Sequence, residues 1–218
     1  REETRHKSPG DGKLAGFGQI AGRDVALVSN DFTVLGASSS QINMKKMRHM
    51  KRVACERGMP LVLLGESSGG RIPDRMGSLG RTTIGQDPVE YRRLRESPWA
   101  SALLGECYGS STWYACMADY VVMRKGAIMA VSSPRVTSLA INQPIAPEDL
   151  GGWRLHTEVT GLVDQAFDTD AEVLDAIKTF LSYLPANKAE PPPVADVPEG
   201  SDEGAEAILD IVPEERSR

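Results

Sequence analysis

Apolar and polar positions along the chain alternate between two styles. Short continuous apolar runs occur at residues 60–64 (PLVLL), 100–104 (ASALL), 120–123 (YVVM) and 127–131 (AIMAV). Runs of that length without polar alternation predict strands buried on both faces. Residues 41–58 instead follow a helical period, with Met47, Met50, Val53 and Ala54 on one face and Lys45, Lys46, Arg48, Lys51 and Arg52 on the other. Gly58 ends that helix and Pro60 forbids its continuation. Residues 88–97 read as a charged helix, 110–118 as a helix, and 171–184 as a helix with Val173, Ile177, Phe180 and Leu181 in phase. Near the start, residues 16–20 and 25–29 form strands around a turn at Ala21-Gly22-Arg23, and 32–35 read as a third strand. Strands that keep alternating with helices predict an α/β layered domain on a largely parallel sheet.

Composition narrows the function classes. The 218 residues are 40% hydrophobic and 25% charged, enough to bury a core without staples. A formal net charge of -5 argues against nucleic acid or an anionic membrane as main partner. No apolar run approaches the roughly 20 residues that span a bilayer. The polar first 13 residues show no signal peptide, which points to the cytoplasm. Cys55, Cys107 and Cys116 are odd in number and contain no C-x-x-C pair, so reduced, mostly buried thiols are expected.

The charge is unevenly spread. Residues 190–218 hold nine acidic residues, two basic residues and five prolines, a segment of -7, whereas residues 1–189 carry 21 acidic and 23 basic residues. The tail reads as an exposed acidic, Pro-rich linker, and its short apolar patch AILDIV has little to pack on locally. It is either a disordered end or the lead into something further, and the second reading is preferred.

Three small-residue junctions follow expected strands, where open α/β sheets bind ligands. Gly36-Ala37-Ser38-Ser39-Ser40 leads into the basic helix, whose first amides and nearby Lys45, Lys46 and Arg48 suit a phosphate-bearing ligand, or simply form an N-cap before a solvated face. Gly65-Glu66-Ser67-Ser68-Gly69 matches the G-x-S-x-G nucleophile elbow, with Asp119 or Asp149 and His156 in triad order. Pro73 six residues later and the lack of an upstream HGG segment weaken that hydrolase reading. Gly105 to Ser110 ends a strand in a tight turn whose amides suit an oxyanion, or else serve close helix packing. His6, His49 and His156 lack metal-ligand spacing, and Trp99, Trp113 and Trp153 read most simply as core or interface residues. GFGQIAG at 16–22 has the wrong spacing and context for a dinucleotide fingerprint.

Taken together, GFGQIAGRDVALVSNDFTVLGAS, MPLVLLGESSGGRI, LLGECYGSSTWYACMADYVVM, EDLGGWRLHTEVTGLVD and FLSYLPAN resemble, in order, the N-terminal half of a biotin-dependent acyl-CoA carboxyltransferase. The resemblance is to the β subunits of propionyl-CoA and acetyl-CoA carboxylases and covers roughly residues 12–187. It implies a ClpP/crotonase-like α/β fold, a β-β-α superhelix. Residues 1–189 would be the carboxyltransferase N-terminal domain, and 190–218 a linker toward an absent C-terminal domain.

The resemblance places Gly36, Ala37, Ser38, Lys46 and Arg71 on the CoA side. It places Gly109 and Ser110 at a backbone oxyanion hole, with Ser68, Gly69 and Gly70 on the family's Gly-Gly-Ala-Arg segment. Two departures stand out: Glu66-Ser67-Ser68-Gly69-Gly70-Arg71 where the family has Asp-Ser-Gly-Gly-Ala-Arg, and Gly109-Ser110-Ser111 where it has Gly-Gly-Ala.

The implied reaction moves CO2 from carboxybiotin, borne on a separate carrier, to the α-carbon of an acyl-CoA, with no metal in this domain. The implied partners are a C-terminal carboxyltransferase domain or subunit, a biotin carboxylase and a biotin carrier protein, in a homo- or hetero-oligomer. This chain alone is expected to be inactive. The alternatives are another crotonase-fold CoA enzyme, such as a decarboxylase subunit or a hydratase using Glu66 or Glu106, then the serine hydrolase, then a noncatalytic assembly subunit.

Overall fold

The computed structural model describes residues 9–76, 96–204, 207 and 211. The charged helix expected at 88–97 falls mostly outside the described residues. The described residues begin with a tight turn, Pro9–Gly12, in which Gly10, Asp11 and Gly12 all have positive φ. Strands β1 (Lys13–Ile20) and β2 (Arg23–Asn30) then form an antiparallel hairpin closed by Ala21-Gly22, both at positive φ. That is the two-residue connection whose twist matches the strands.

The remaining pairings are parallel. They involve β3 (Leu61–Ser67), β4 (Trp99–Tyr108), β5 (Tyr120–Arg124), β6 (Ile128–Ala130) and β7 (Gln165–Phe167). The order is β1-β2-β3-β4-β5-β7. The first half of β4 pairs with β5 and its last three residues pair with β6. A register shift on the β3 side, where Gly65 faces Leu103 but Ser67 faces Cys107, bends β4 between those halves.

Helix α1 (Gln41–Arg57) starts at Ser40, which forms a capping box with Asn43, and stops at left-handed Gly58. Its Met44, Met47, Met50 and Ala54 pack on Ala26, Val28, Leu61, Leu63 and Trp99. The short turn α2 (Ile72–Arg75) follows β3, and α3 (Ser110–Cys116) follows β4. Helices α4 (Pro134–Ile141) and α5 (Pro147–Gly151) precede a single π turn, Leu155–Val159. Helix α6 (Asp170–Ser182) packs Val173, Ile177 and Leu181 on Val62, Ala100, Ala102 and Val122, covering the other face of the sheet. The sheet therefore lies between α1 and α6, and both faces of β3 and β4 are buried, as their continuous apolar runs require.

Several expectations are corrected. Residues 32–35 are not a strand: the Asp31 carboxylate accepts from Thr33 N (3.0 Å) and Thr33 Oγ1, folding the chain into a turn that runs into the 3-10 turn Leu35–Ala37. Lys51 is not on a solvated face. It is buried, with its ammonium 4.7 Å from the Trp99 ring centre and 5.2 Å from that of Tyr114. Of the thiols, Cys107 is buried, Cys55 half-buried and Cys116 exposed. Trp99 is core, whereas Trp113 is exposed. Residues 191–204 contain no helix or strand and lie open to solvent.

Candidate functional site: three loops joined at Ser39

The three junctions meet. Ser39 forms an isolated parallel bridge with Gly70, donating from N to Gly69 O (2.7 Å) and accepting from Arg71 N (2.9 Å). Its hydroxyl lies 2.7 Å from that of Ser110. Ser68 N donates to Gly36 O at 2.9 Å, tying the first two loops a second time. The loop after β2, the loop after β3 and the start of α3 thus form one surface at the C-terminal ends of parallel strands.

Sequence requirements for this arrangement are specific. Gly36 has φ +60, and a Cβ there would come 2.7 Å from Ser68 Oγ. Gly69 has φ +103 and Gly109 has φ 69 with ψ -123, conformations that side chains resist. Leu35 and Ala37 also hold positive φ, a strain that Ala37 N bonding to Val34 O (2.9 Å) and the burial of Ala37 help to hold.

Most of the amides are spoken for. Ser68 N bonds to Gly36 O, Gly69 N to Ser67 Oγ (3.1 Å) and Gly109 N to Ala130 O (3.1 Å). Among the described residues the amides of Gly70 and Ser110 have no acceptor. Ser110 is the first residue of α3, where N–H groups lack intrahelical partners. Ser68 and Gly70 are exposed, and Ser110 is half-buried. The rim thus offers two open amides and a group of hydroxyls.

The two cations expected on the CoA side are held within the chain. Lys46 Nζ donates to Gly10 O and, at 3.0 Å, to Lys13 O. Arg71 places Nη1 on Asp11 Oδ1, Nη2 on Ser38 O (3.1 Å) and Nε on Ser38 Oγ (3.1 Å). Arg71 thus holds the 36–38 loop at Ser38, whereas Lys46 holds the Pro9–Gly12 turn and the start of β1. Asp11 and Asn43 are structural contributors absent from the sequence-derived site; the signal for Asp11 is the Pro-Gly-Asp-Gly turn, where Asp serves to cap nearby donors.

The serine-elbow constellation is not assembled. Ser67 is fully buried and its hydroxyl points at Ala37 O and Gly69 O (3.3 and 3.5 Å). His156 donates from Nε2 to Met129 O at 2.7 Å, and its Nδ1 meets Thr160 Oγ1 at 3.0 Å. Asp119 accepts from Trp99 N at 3.0 Å. Glu66, a carboxylate that a hydratase could use, lies over Gly105, where a Cβ would overlap its Oε1. Burial raises its pKa, Arg124 opposes the rise, and Asp170 and Asp31 add to it. Glu106 is exposed.

No group of three or more His, Cys, Asp or Glu able to hold a metal occurs among the described residues. No described helix is long and apolar enough to cross a membrane. A surface concavity of about 700 Å³ between β5, β7 and α6, lined in part by Tyr120, Phe167 and Phe180, lies apart from these loops.

A family model described as the carboxyl transferase domain matches residues 1–218. The propionyl-CoA carboxylase beta chain of Roseobacter denitrificans is 33% identical over 212 residues, covering 95% of this chain and 41% of that one. The propionyl-CoA carboxylase carboxyltransferase subunit of Haloferax mediterranei is 33% identical over 218 residues, covering 98% and 41%. Among solved structures, transcarboxylase 12S, a hexamer with methylmalonyl-coenzyme A and methylmalonic acid bound, superposes with a TM-score of 0.76 at 26% identity, covering 93% of this chain and 39% of that one. The fold is accordingly crotonase-like α/β, and the chain spans about two fifths of the length of these relatives.

Proposed function

Since the chain belongs to the carboxyl transferase domain family, we propose that it is the acyl-CoA half of a biotin-dependent acyl-CoA carboxyltransferase. Carboxybiotin, delivered on a separate carrier protein, supplies the CO2 and the base that takes the α-proton. The residues of this chain bind and orient the acyl-CoA. The thioester carbonyl sits against the open amides of Ser110 and Gly70. As the α-proton leaves, negative charge moves onto that oxygen, and fixed N–H donors stabilise it without having to reorganise. The new C–C bond then forms at the α-carbon, held in place by the same anchoring.

The CoA arm lies along the 36–38 loop, which Arg71 holds at Ser38. The side chain that meets the Ser39 hydroxyl is that of Ser110, and in this reading the proton acceptor is carried by the biotin side. A C-terminal carboxyltransferase domain or subunit supplies the biotin side, and residues 190–218 lead toward it. Biotin carboxylase and the carrier protein complete a cytoplasmic oligomer, and this chain alone is inactive.

The observation that carries the reading is the pair of acceptor-free amides, Gly70 and Ser110, on loops that Ser39 joins. It is tested by Ser110→Pro against Ser110→Ala in the enzyme completed with its C-terminal half. Proline is tolerated at the first helical position and removes only that N–H from the backbone; alanine keeps it. With propionyl-CoA, the proline variant is expected to lose about 10²–10³-fold in kcat, while the alanine variant stays within a fewfold. Equal rates for the two variants would contradict the reading.

A further inference from the structure

The Asp11 carboxylate is engaged with two of the three elements that shape the site, the loop after β3 and the start of α1. Oδ1 accepts from Arg71 Nη1, on the loop after β3. Oδ2 accepts from Ser40 Oγ and from Asn43 N (3.2 Å), at the start of α1. Its own carbonyl accepts from Asn43 Nδ2 at 3.4 Å, and the same amide donates to Ser38 O at 2.8 Å. Arg71 in turn grips Ser38 twice. Both ionic side chains are only 13–15% exposed.

The segment bearing Asp11 is built to hold it there. Asp11 has φ 59 between two positive-φ glycines. Gly12 lies against the next turn, where a Cβ would come 3.0 Å from Val34 O and 3.3 Å from Ala37 Cα. Gly12 O also accepts from Asp31 N at 2.9 Å, and Lys46 holds Gly10 O. An Asp in a sparsely populated conformation, wedged by close backbone contact, marks a position the surroundings over-determine.

We propose that Asp11 is the positioning residue of the site: by fixing Arg71 and the start of α1 together, it sets the spacing of the 36–39 loop from the 68–71 loop, and through Ser39 the placement of the Gly70 and Ser110 amides. Asp11 touches neither substrate nor the open amides; it acts through Arg71 and Ser38. Because each group in this network is partly buried and paired, removing one leaves the others wanting a partner, and effects within it are non-additive. The consequence for binding rests on the acyl-CoA reading above; the consequence for loop geometry does not.

The test uses the full chain, with Asp11→Asn, Arg71→Met, the double variant, and Asp24→Asn on the β1–β2 hairpin as control. Asparagine keeps the size and one acceptor of Asp11 while removing its charge, so the fold survives; Asp11→Ala is the second variant. In ligand-free protein, ¹⁵N spectra are expected to show the Gly69, Gly70 and Ser110 amides moving in Asp11→Asn and in Arg71→Met in the same direction. The control is expected to leave them in place. Titration with propionyl-CoA is expected to weaken at least tenfold in each single variant, with the double variant no weaker than Arg71→Met alone. Unmoved site amides in Asp11→Asn and Asp11→Ala, or losses that add, would overturn the proposal. Absence of propionyl-CoA binding by the unaltered chain would count against the acyl-CoA reading, and the ligand-free spectra would still decide the role of Asp11.

Discussion

The hydroxyls of Ser39 and Ser110 lie 2.7 Å apart although 71 residues separate them in sequence. One belongs to the loop that caps α1 and the other opens α3, so this contact is where two of the three loops lock. A partly buried hydrogen bond of this kind contributes about 1 kcal/mol. Ser39→Ala and Ser110→Ala are each expected to lower stability by about that amount, and the double variant by less than the sum. Urea unfolding of the four proteins checks this; fully additive losses would show that the hydroxyls do not interact.

Gly109→Ala tests the backbone beneath that contact. With φ 69 and ψ -123, residue 109 occupies a region that alanine enters only with strain of about 1–3 kcal/mol. The expected result is a lower thermal midpoint together with displaced Ser110 and Ser111 amides. Gly151→Ala is expected to destabilise for a different reason, since a Cβ there would overlap Met129 O. Its spectral changes are expected to centre on Met129 and on His156, whose Nε2 donates to Met129 O. Identical spectral changes in the two variants would contradict this separation.

Stability should depend on alkaline pH through Lys13. Burial lowers its pKa from 10.5 to about 8; Cys107 opposes the shift, Lys46 reinforces it and Asp11 opposes it. The unfolded chain therefore binds a proton that the folded chain has released between about pH 8 and 10.5. Stability contributed by this group rises with pH through that window, by roughly 3 kcal/mol in all, and is lost again as pH falls toward 8. Lys13→Met is expected to flatten the slope of unfolding free energy between pH 8 and 10. An unchanged slope would place the titration elsewhere.

Thiol labelling should rank the cysteines by exposure. Burial pushes the Cys107 thiol up to about 12, so it is protonated as well as inaccessible at pH 8. Cys116 is expected to react first, Cys55 more slowly, and Cys107 only after denaturant is added. Native labelling of Cys107 at the rate of Cys116 would contradict the packing of β4 against α3.

The layered fold was legible because its signals are local. The runs PLVLL and ASALL carry β3 and β4, and the α1 period with Gly58 and Pro60 marks both a face and an end. What was not legible depends on side chains acting across the chain. Residues 32–35 look like a strand until Asp31 caps the turn. Lys51 looks solvated until Trp99 and Tyr114 cover its stem and face its charge. Helix α4 has only eight residues, and its apolar Val136, Leu139 and Ile141 stay exposed, too short a stretch to establish a period. Of the site, the three junctions could be found from glycine and serine clusters at strand ends. Their joining could not, because the links Ser39–Ser110 and Asp11–Arg71 join residues 71 and 60 positions apart with no periodic signature. The same holds for Lys46 and Arg71, whose charges suggest a ligand but whose partners are carbonyls and a carboxylate of the chain itself.

The most direct measurement is a ¹⁵N-monitored titration of the chain with propionyl-CoA. An acyl-CoA site at the three loops predicts saturable shifts confined to the amides of the 36–39 loop, Gly70 and Ser110, with Ser110 lost as a reporter and binding weakened in Ser110→Pro. Saturable shifts centred instead on the Tyr120 and Phe180 concavity, or no shift at Gly70 and Ser110 at saturating propionyl-CoA, would contradict it.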